Sequence, residues 1–506
     1  MENRNNKFLK NSFFSLLQQL VAIISGLVLP QLMLSFYGSN VNGMISSINQ
    51  FLSFITILQG GVGTVARIAF YKPLAENNEE RISIAYKTVS AFFRKFSLIF
   101  VIYLIMLSII YPLFIKTGYS YIYISTLVLI LGLASVSEYF FGQSSQLLLY
   151  SDQRGYIYSI TQIICLIIST ALGVIMIYMK YSVHMVKLVY SLIFIIRPII
   201  LYIYVKRHYN INNKSKKDKN ILAQRNSALI RHIAFYIHTS TDIIVLTLFT
   251  NVLWVSAYSV YKYVINCISN LLMSILGNTE VVFGNMIAQN EKETMKKQIP
   301  AYDILTKYVS TSFFTTCMIL IIPFIKLYTR NVNDFEYIYP AFAFTLIAAE
   351  MVYCMGSIYQ NVYIAAGHIK NTESIAIIEA TLNMIISILL VGKLKILGVA
   401  IGTLIAMIYK NVANIIYMKT NVFDMSLKFI IKNYFINILS SILLILFFYK
   451  VIFITINSYT KFFILAFFVF IVVSVVLGIL NLLFFKEYTM MILKKLKRKV
   501  GRKGVR

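Results

Sequence analysis

Residues 11–66 read NSFFSLLQQLVAIISGLVLPQLMLSFYGSNVNGMISSINQFLSFITILQGGVGTVA, without one charged side chain. A helix needs about 20 apolar residues to cross the hydrocarbon core of a bilayer. The stretch is therefore long enough for two spans, and Gly38-Ser39-Asn40-Val41-Asn42-Gly43 is the turn expected between them. The pattern continues outward, with apolar blocks near 92–115, 121–150, 156–179 and 184–205, then a basic loop from Lys206 to Arg231. Further blocks follow near 232–252, 257–287, 304–328, 337–366, 374–391, 396–418, 430–449 and 461–485. The sequence thus predicts an all-α polytopic membrane protein with about fourteen transmembrane helices. Of the 506 residues, 58% are hydrophobic and 13% charged, against about 25% charged in soluble domains. That composition excludes a soluble enzyme, a disordered chain and a nucleic-acid-binding domain.

The net charge of +28 (47 Lys and Arg against 19 Asp and Glu) does not point to nucleic acid, because the basic residues lie in short loops and the C-terminal tail. This is the positive-inside bias of a multi-pass membrane protein. With the N-terminus cytoplasmic, the inner side holds Arg4, Lys7 and Lys10 and the loops Lys72–Lys95, Lys206–Arg231, Lys292–Lys307 and Lys419–Lys432. It also holds the run from Lys494 to Arg506, and these segments together carry 31 of the 47 basic residues. Both termini are expected on the cytoplasmic side of the membrane, and the first span is read as uncleaved. The outer loops are short, with Lys116, Lys180, Arg330, Lys393 and Lys395 among their cations. They leave no room for the large extracytoplasmic loop of membrane glycosyltransferases. No Walker-type phosphate loop is present. Cys165, Cys267, Cys317 and Cys354 lie dispersed in apolar blocks and form neither a disulfide framework nor a metal motif. No enzyme activity, cofactor or metal is expected.

An offset of 213 residues recurs. Leu74-Ala75-Glu76-Asn77 matches Ile287-Ala288-Gln289-Asn290, and Ile203-Tyr204-Val205-Lys206 matches Ile416-Tyr417-Met418-Lys419. The offset covers six spans, so both copies cross the membrane in the same sense. This predicts two pseudo-symmetric six-helix lobes, over 1–228 and 229–420, with two extra helices and a basic tail in 421–506. Two such lobes suggest alternating access, with the substrate path between them.

Ionisable groups at membrane depth mark candidate pathways, since each costs at least about 2.5–3.5 kcal/mol without water or a partner. Arg197 lies nine residues before Lys206, roughly 13 Å deep, and the repeat places Lys410 at the matching depth. The two could clamp an anionic headgroup; the alternative is snorkelling or an intramembrane ion pair. Arg67 and Glu280 are also 213 apart and form a candidate gate pair. In the seventh span His238 and Asp242 share one helix face, a candidate proton or Na⁺ coupling site or else a packing network. Glu138 and Glu350, with Glu379, line the cavity or balance its cations. Lys262 is expected to snorkel.

The stretches Val41-Asn42-Gly43-Met44-Ile45-Ser46-Ser47-Ile48-Asn49-Gln50-Phe51, Gln59-Gly60-Gly61-Val62-Gly63 and Ala69-Phe70-Tyr71-Lys72-Pro73-Leu74-Ala75 resemble bacterial polysaccharide repeat-unit (Wzx-type) flippases of the MOP exporter superfamily. Thr241-Asp242-Ile243-Ile244-Val245-Leu246 is similar to the seventh-helix segment of the same family. The resemblance runs over roughly residues 8 to 420. It implies a V-shaped fold of twelve core helices, often with two more. It also implies flipping of an undecaprenyl-diphosphate-linked oligosaccharide, which a polymerase then builds into capsule, O-antigen or exopolysaccharide. The expected partners are that lipid-linked oligosaccharide, membrane lipid, the polymerase and glycosyltransferases, and a monomer suffices. Related lipid II flippases use cavity arginines and cation coupling, in keeping with Arg67 and Arg197. The competing reading is a cation-coupled multidrug exporter of the same superfamily, which the acidic groups would suit.

Overall fold

The computed structural model describes residues 4–59, 61–115, 117–212, 215–222, 236, 240–276, 279–451 and 456–501. Every long element among them is helical. The helices are α1 (Arg4–Phe54), α2 (Val62–Ala75), α3 (Glu79–Phe114), α4 (Tyr121–Ser137), α5 (Gln143–Ser151), α6 (Gly155–Tyr178), α7 (Val183–His208), α8 (Ser240–Phe249) and α9 (Val252–Leu276). They continue as α10 (Thr279–Ala288), α11 (Lys292–Tyr328), α12 (Pro340–Ala365), α13 (Glu373–Leu394), α14 (Ile396–Asn421), α15 (Leu427–Val451), α16 (Tyr459–Phe484) and α17 (Lys486–Gly501). The chain is an all-α multi-pass membrane protein, with twelve helical stretches long and apolar enough to cross a membrane among the described residues. Two features bring this into line with about fourteen spans. α1 would be about 76 Å long if straight, and Gly38 interrupts it with φ 83 and ψ 174. α8 is the described part of the predicted seventh span.

Gly38 corrects one expectation. The turn predicted over residues 38–43 is a single non-helical glycine, after which Ser39–Gly43 are already helical and largely buried. Glycine takes this positive φ without the Cβ clash that penalises other residues. Four helix starts are capped by side chains among the described residues. Asn78 accepts from the backbone N–H of Arg81 at 3.0 Å, ahead of Glu79 and Glu80 in the first turn of α3. Ser120, Ser182 and Ser458 do the same for α4, α7 and α16. Each cap satisfies a donor that the first turn leaves open.

The chain divides into two compact units, Met1–Ser256 and Ala257–Arg506. In the first, Met33, Val41, Met44, Ile48, Phe100 and Leu127 form the core with Val252. Polar pins tie α1 to α8 and the start of α9. Asn42 donates to Ser256 Oγ at 2.8 Å, and Ser47 and Thr247 hydroxyls meet at 2.9 Å. At the basic end of α7, Asp152 gathers Lys7 at 3.3 Å, Arg154 at 2.9 Å and the Tyr209 hydroxyl at 2.5 Å. Burial, together with the Asp152 carboxylate, raises the Tyr209 phenol above its ordinary pKa, so it stays a neutral donor. In the second unit, Phe283, Ile299, Tyr359 and Met418 pack with Met425 and Ile430, which joins α15 to the helices before it.

Candidate functional site

The first unit holds an ion pair deep in its helices. Arg197, on α7, donates from Nη2 to Glu138 Oε2 at 2.5 Å and from Nη1 to Gln162 Oε1 and, at 3.4 Å, to the Tyr158 hydroxyl. Its guanidinium lies over the Tyr158 ring at 5.1 Å and the Phe194 ring at 5.8 Å. The Nε–H of Arg197 is buried and has no acceptor among the described residues. Arg197 thus forms an intramembrane ion pair rather than snorkelling, and one of its donors is left over.

Local backbone explains the geometry. Glu138–Gly142 is a turn of π-helix between α4 and α5, a bulge that re-aims side chains and is frequent at functional sites. Gly142 sits against Pro198 of α7. A Cβ there would fall 2.7 Å from Cβ of Pro198 and 3.0 Å from the Glu138 carboxyl. Gly142→Ala is expected to push α7 away and lengthen the Arg197–Glu138 pair. The cost should be about 1–3 kcal/mol, read as a lower melting temperature of the detergent-purified protein.

Among the described residues the second unit holds three such pairs. Lys410, on α14, reaches Glu379 of α13 at 3.0 Å and lies 5.2 Å from the Tyr353 ring. It lines a small pocket between α12 and α14 with Tyr353, Gln360, Asn411 and Asn414. Lys262 meets Glu350 at 2.8 Å, and Ser269 donates to the same carboxylate at 3.1 Å. This corrects the snorkelling expected of Lys262: a carboxylate on α12 holds its ammonium inside the unit. The repeat matches the two cations Arg197 and Lys410, each of which is paired to an acid. It does not match the acids themselves, because Glu350, the counterpart of Glu138, serves Lys262 instead.

The third pair escapes the charge pattern. By sequence Lys307 belongs to an inner loop, yet it lies within α11 with no exposed surface, paired to Asp303 one turn earlier, which is equally buried. The Tyr359 hydroxyl accepts from Lys307 at 2.7 Å and donates to Asp303 Oδ1 at 2.7 Å. Asn433 of α15 donates to Asp303 Oδ2 at 2.8 Å, and the Lys307 ammonium lies 4.2 Å from the Tyr434 ring. Tyr434 in turn bonds Asn411 beside the Lys410 pocket. The Asp-x-x-x-Lys spacing, one helical turn, is the readable signal for this pair.

The remaining candidates are placed as follows. Asp242 is buried in α8 beside the buried Ser240 and Thr241; His238 lies outside the described residues. Arg67 on α2 and Glu280 on α10 are exposed within their own units.

No family model matches the sequence, and no curated protein matches it. Solved structures do. The lipid II flippase MurJ in an inward closed conformation superposes with a TM-score of 0.68 at 17% identity, covering 94% of this chain and 99% of that one. An inward-facing multidrug resistance MATE family transporter of the MOP superfamily gives 0.60 at 11% identity, covering 79% and 96%. This chain has the fold these two proteins share. At such identities the likeness is one of architecture, and the chain spans nearly the whole of both.

Proposed function

We propose that this protein flips an undecaprenyl-diphosphate-linked oligosaccharide from the cytoplasmic to the outer leaflet of a bacterial plasma membrane, for surface polysaccharide assembly. The observation that carries the reading is Arg197: a guanidinium deep in a helical unit, held by one carboxylate, with a buried N–H still open among the described residues. Guanidinium matches phosphate oxygens bidentately and is weakly hydrated, so it replaces water that a diphosphate loses. Glu138 balances that charge until an anion competes for it. The acidic side chains Glu138, Glu350, Glu379 and Asp303 are each engaged by Arg or Lys. That arrangement suits an anionic cargo better than the cationic drugs of the exporter alternative.

In this reading the two repeats, 1–228 and 229–420, are the lobes of an alternating-access machine. Arg197 and Lys410 take the headgroup, Arg67 and Glu280 close a gate, and His238 with Asp242 binds a coupling proton or Na⁺. Residues 421–506 add two helices and a cytoplasmic tail, and both termini face inward. Outward movement of an anion is downhill by about 2.3 kcal/mol per charge per 100 mV when the inside is negative. The chain acts as a monomer alongside a polymerase and glycosyltransferases.

The test is a strain lacking the gene, with wild-type and Arg197→Ala copies restored separately. Expected are accumulation of polyprenyl-diphosphate-linked oligosaccharide, loss of surface polymer, and rescue by wild type alone. Normal lipid-linked pools with raised drug sensitivity would reverse the assignment in favour of the exporter.

A further inference from the structure

One face of α7 carries more than Arg197. Lys187, Tyr190, Phe194 and Arg197 follow one another at helical spacing and touch in series. The Lys187 ammonium lies 5.6 Å from the Tyr190 ring; Tyr190 stacks on Phe194 at 4.7 Å and 27°; Arg197 lies 5.8 Å from Phe194. All four are half-buried. The opposite side of the helix is the exposed apolar one, with Met185, Leu192, Ile196, Ile200 and Ile203. The row therefore faces away from the lipid-type surface and runs along the helix for about 15 Å. Its far end, Lys187, lies toward the end of α7 opposite the basic cluster Lys206, Arg207 and His208.

The two cations are held differently. Arg197 shares Glu138, Gln162 and Tyr158. Lys187 has neither an ion pair nor a hydrogen bond among the described residues. It also sits near the N-terminal end of its helix, where the dipole disfavours a positive charge. The Tyr190 ring is the contact that holds its ammonium, and this leaves the ammonium hydrogens open to a ligand of opposite charge.

We propose that this face of α7 is a binding track for an anionic glycolipid headgroup, in which Lys187 is a second phosphate-holding group and the Tyr190–Phe194 stack is the platform for a sugar ring. The inference rests on the flippase reading and adds its substrate contacts. The spacing of the two cations exceeds one diphosphate, so they serve successive positions: Arg197 first, Lys187 nearer the far end. An aromatic face is electron-rich and accepts the C–H face of a sugar, while the lysine is a rotatable point charge that releases an anion readily.

The test is binding by the purified full-length protein in detergent, followed by native mass spectrometry. The probes are undecaprenyl diphosphate, the same lipid carrying a disaccharide, inorganic pyrophosphate, and phosphatidylglycerol. Lys187→Met should weaken both diphosphate lipids by about tenfold, the loss of one charge-assisted contact. Lys187→Arg should restore them. Tyr190→Ala should weaken only the sugar-bearing lipid, and Tyr190→Phe should leave it intact. Lys187→Met removes an ammonium that no carboxylate holds, so its melting temperature should equal or exceed that of wild type. If wild type binds the lipids and Lys187→Met binds them equally, the track is refuted and the flippase reading stands. If wild type binds neither lipid, both fall. Lys187-dependent binding of pyrophosphate or phosphatidylglycerol as tight as that of the diphosphate lipids would overturn the glycolipid assignment.

Discussion

Asp303→Ala is expected to be among the most damaging single changes in the chain. It would leave the Lys307 ammonium fully buried without a carboxylate, and would strip Tyr359 and Asn433 of their acceptor. Breaking a buried pair from one side costs about 3–5 kcal/mol. The double change Asp303→Asn with Lys307→Met removes both charges and keeps an amide oxygen for Asn433. It should recover most of the loss. Membrane yield and thermal unfolding in detergent read both. A double variant as unstable as the single one would show that the orphaned Lys307 ammonium is not the cause of the loss. The pair is fully satisfied, since the three hydrogens of Lys307 meet Asp303, Tyr359 and the Tyr434 ring. It therefore acts as a pin rather than a site.

Gly43→Ala should be comparably severe, for a steric reason. A Cβ at Gly43 would lie 1.8 Å from the backbone oxygen of Val252 and 2.7 Å from its carbonyl carbon. Backbone cannot step aside as a side-chain tip can, so α1 and the start of α9 must separate. That would break the neighbouring Asn42–Ser256 and Ser47–Thr247 bonds. A loss of at least about 3 kcal/mol follows from overpacking of this kind. It should appear as collapsed expression or a large drop in melting temperature. Gly284→Ala is the control, because a Cβ there meets nothing within 4 Å. Equal behaviour of the two variants would contradict the close crossing.

Some of the site is legible from residue spacing. Arg197 stands out because a cation nine residues inside a basic helix end must lie at depth. Lys410 follows because the repeat carries one position onto the other. Glu138 reads as a cavity acid but its partner does not, since Arg197 and Glu138 meet only through the π-turn and the close crossing at Gly142 and Pro198. Lys307 reads as part of a loop because position in a charge pattern says nothing of burial. Lys262 reads as snorkelling for the same reason.

An all-helical, multi-pass chain of about fourteen spans with a duplicated charge pattern follows from the amino-acid order alone. Those features are local: bilayer thickness sets the length of each apolar block, and loop charge sets the pattern between blocks. Gly38 is readable within its turn, although only the backbone reveals that one residue suffices to break α1. Which acid each buried cation holds is a matter of tertiary packing. Glu350 serves Lys262, Glu379 serves Lys410, and Asn433 closes the Asp303 pair from a helix 130 residues away. Such pairings depend on which helices become neighbours and how closely they cross. An ion pair in a low-dielectric interior survives only where that packing brings the charges within hydrogen-bond reach.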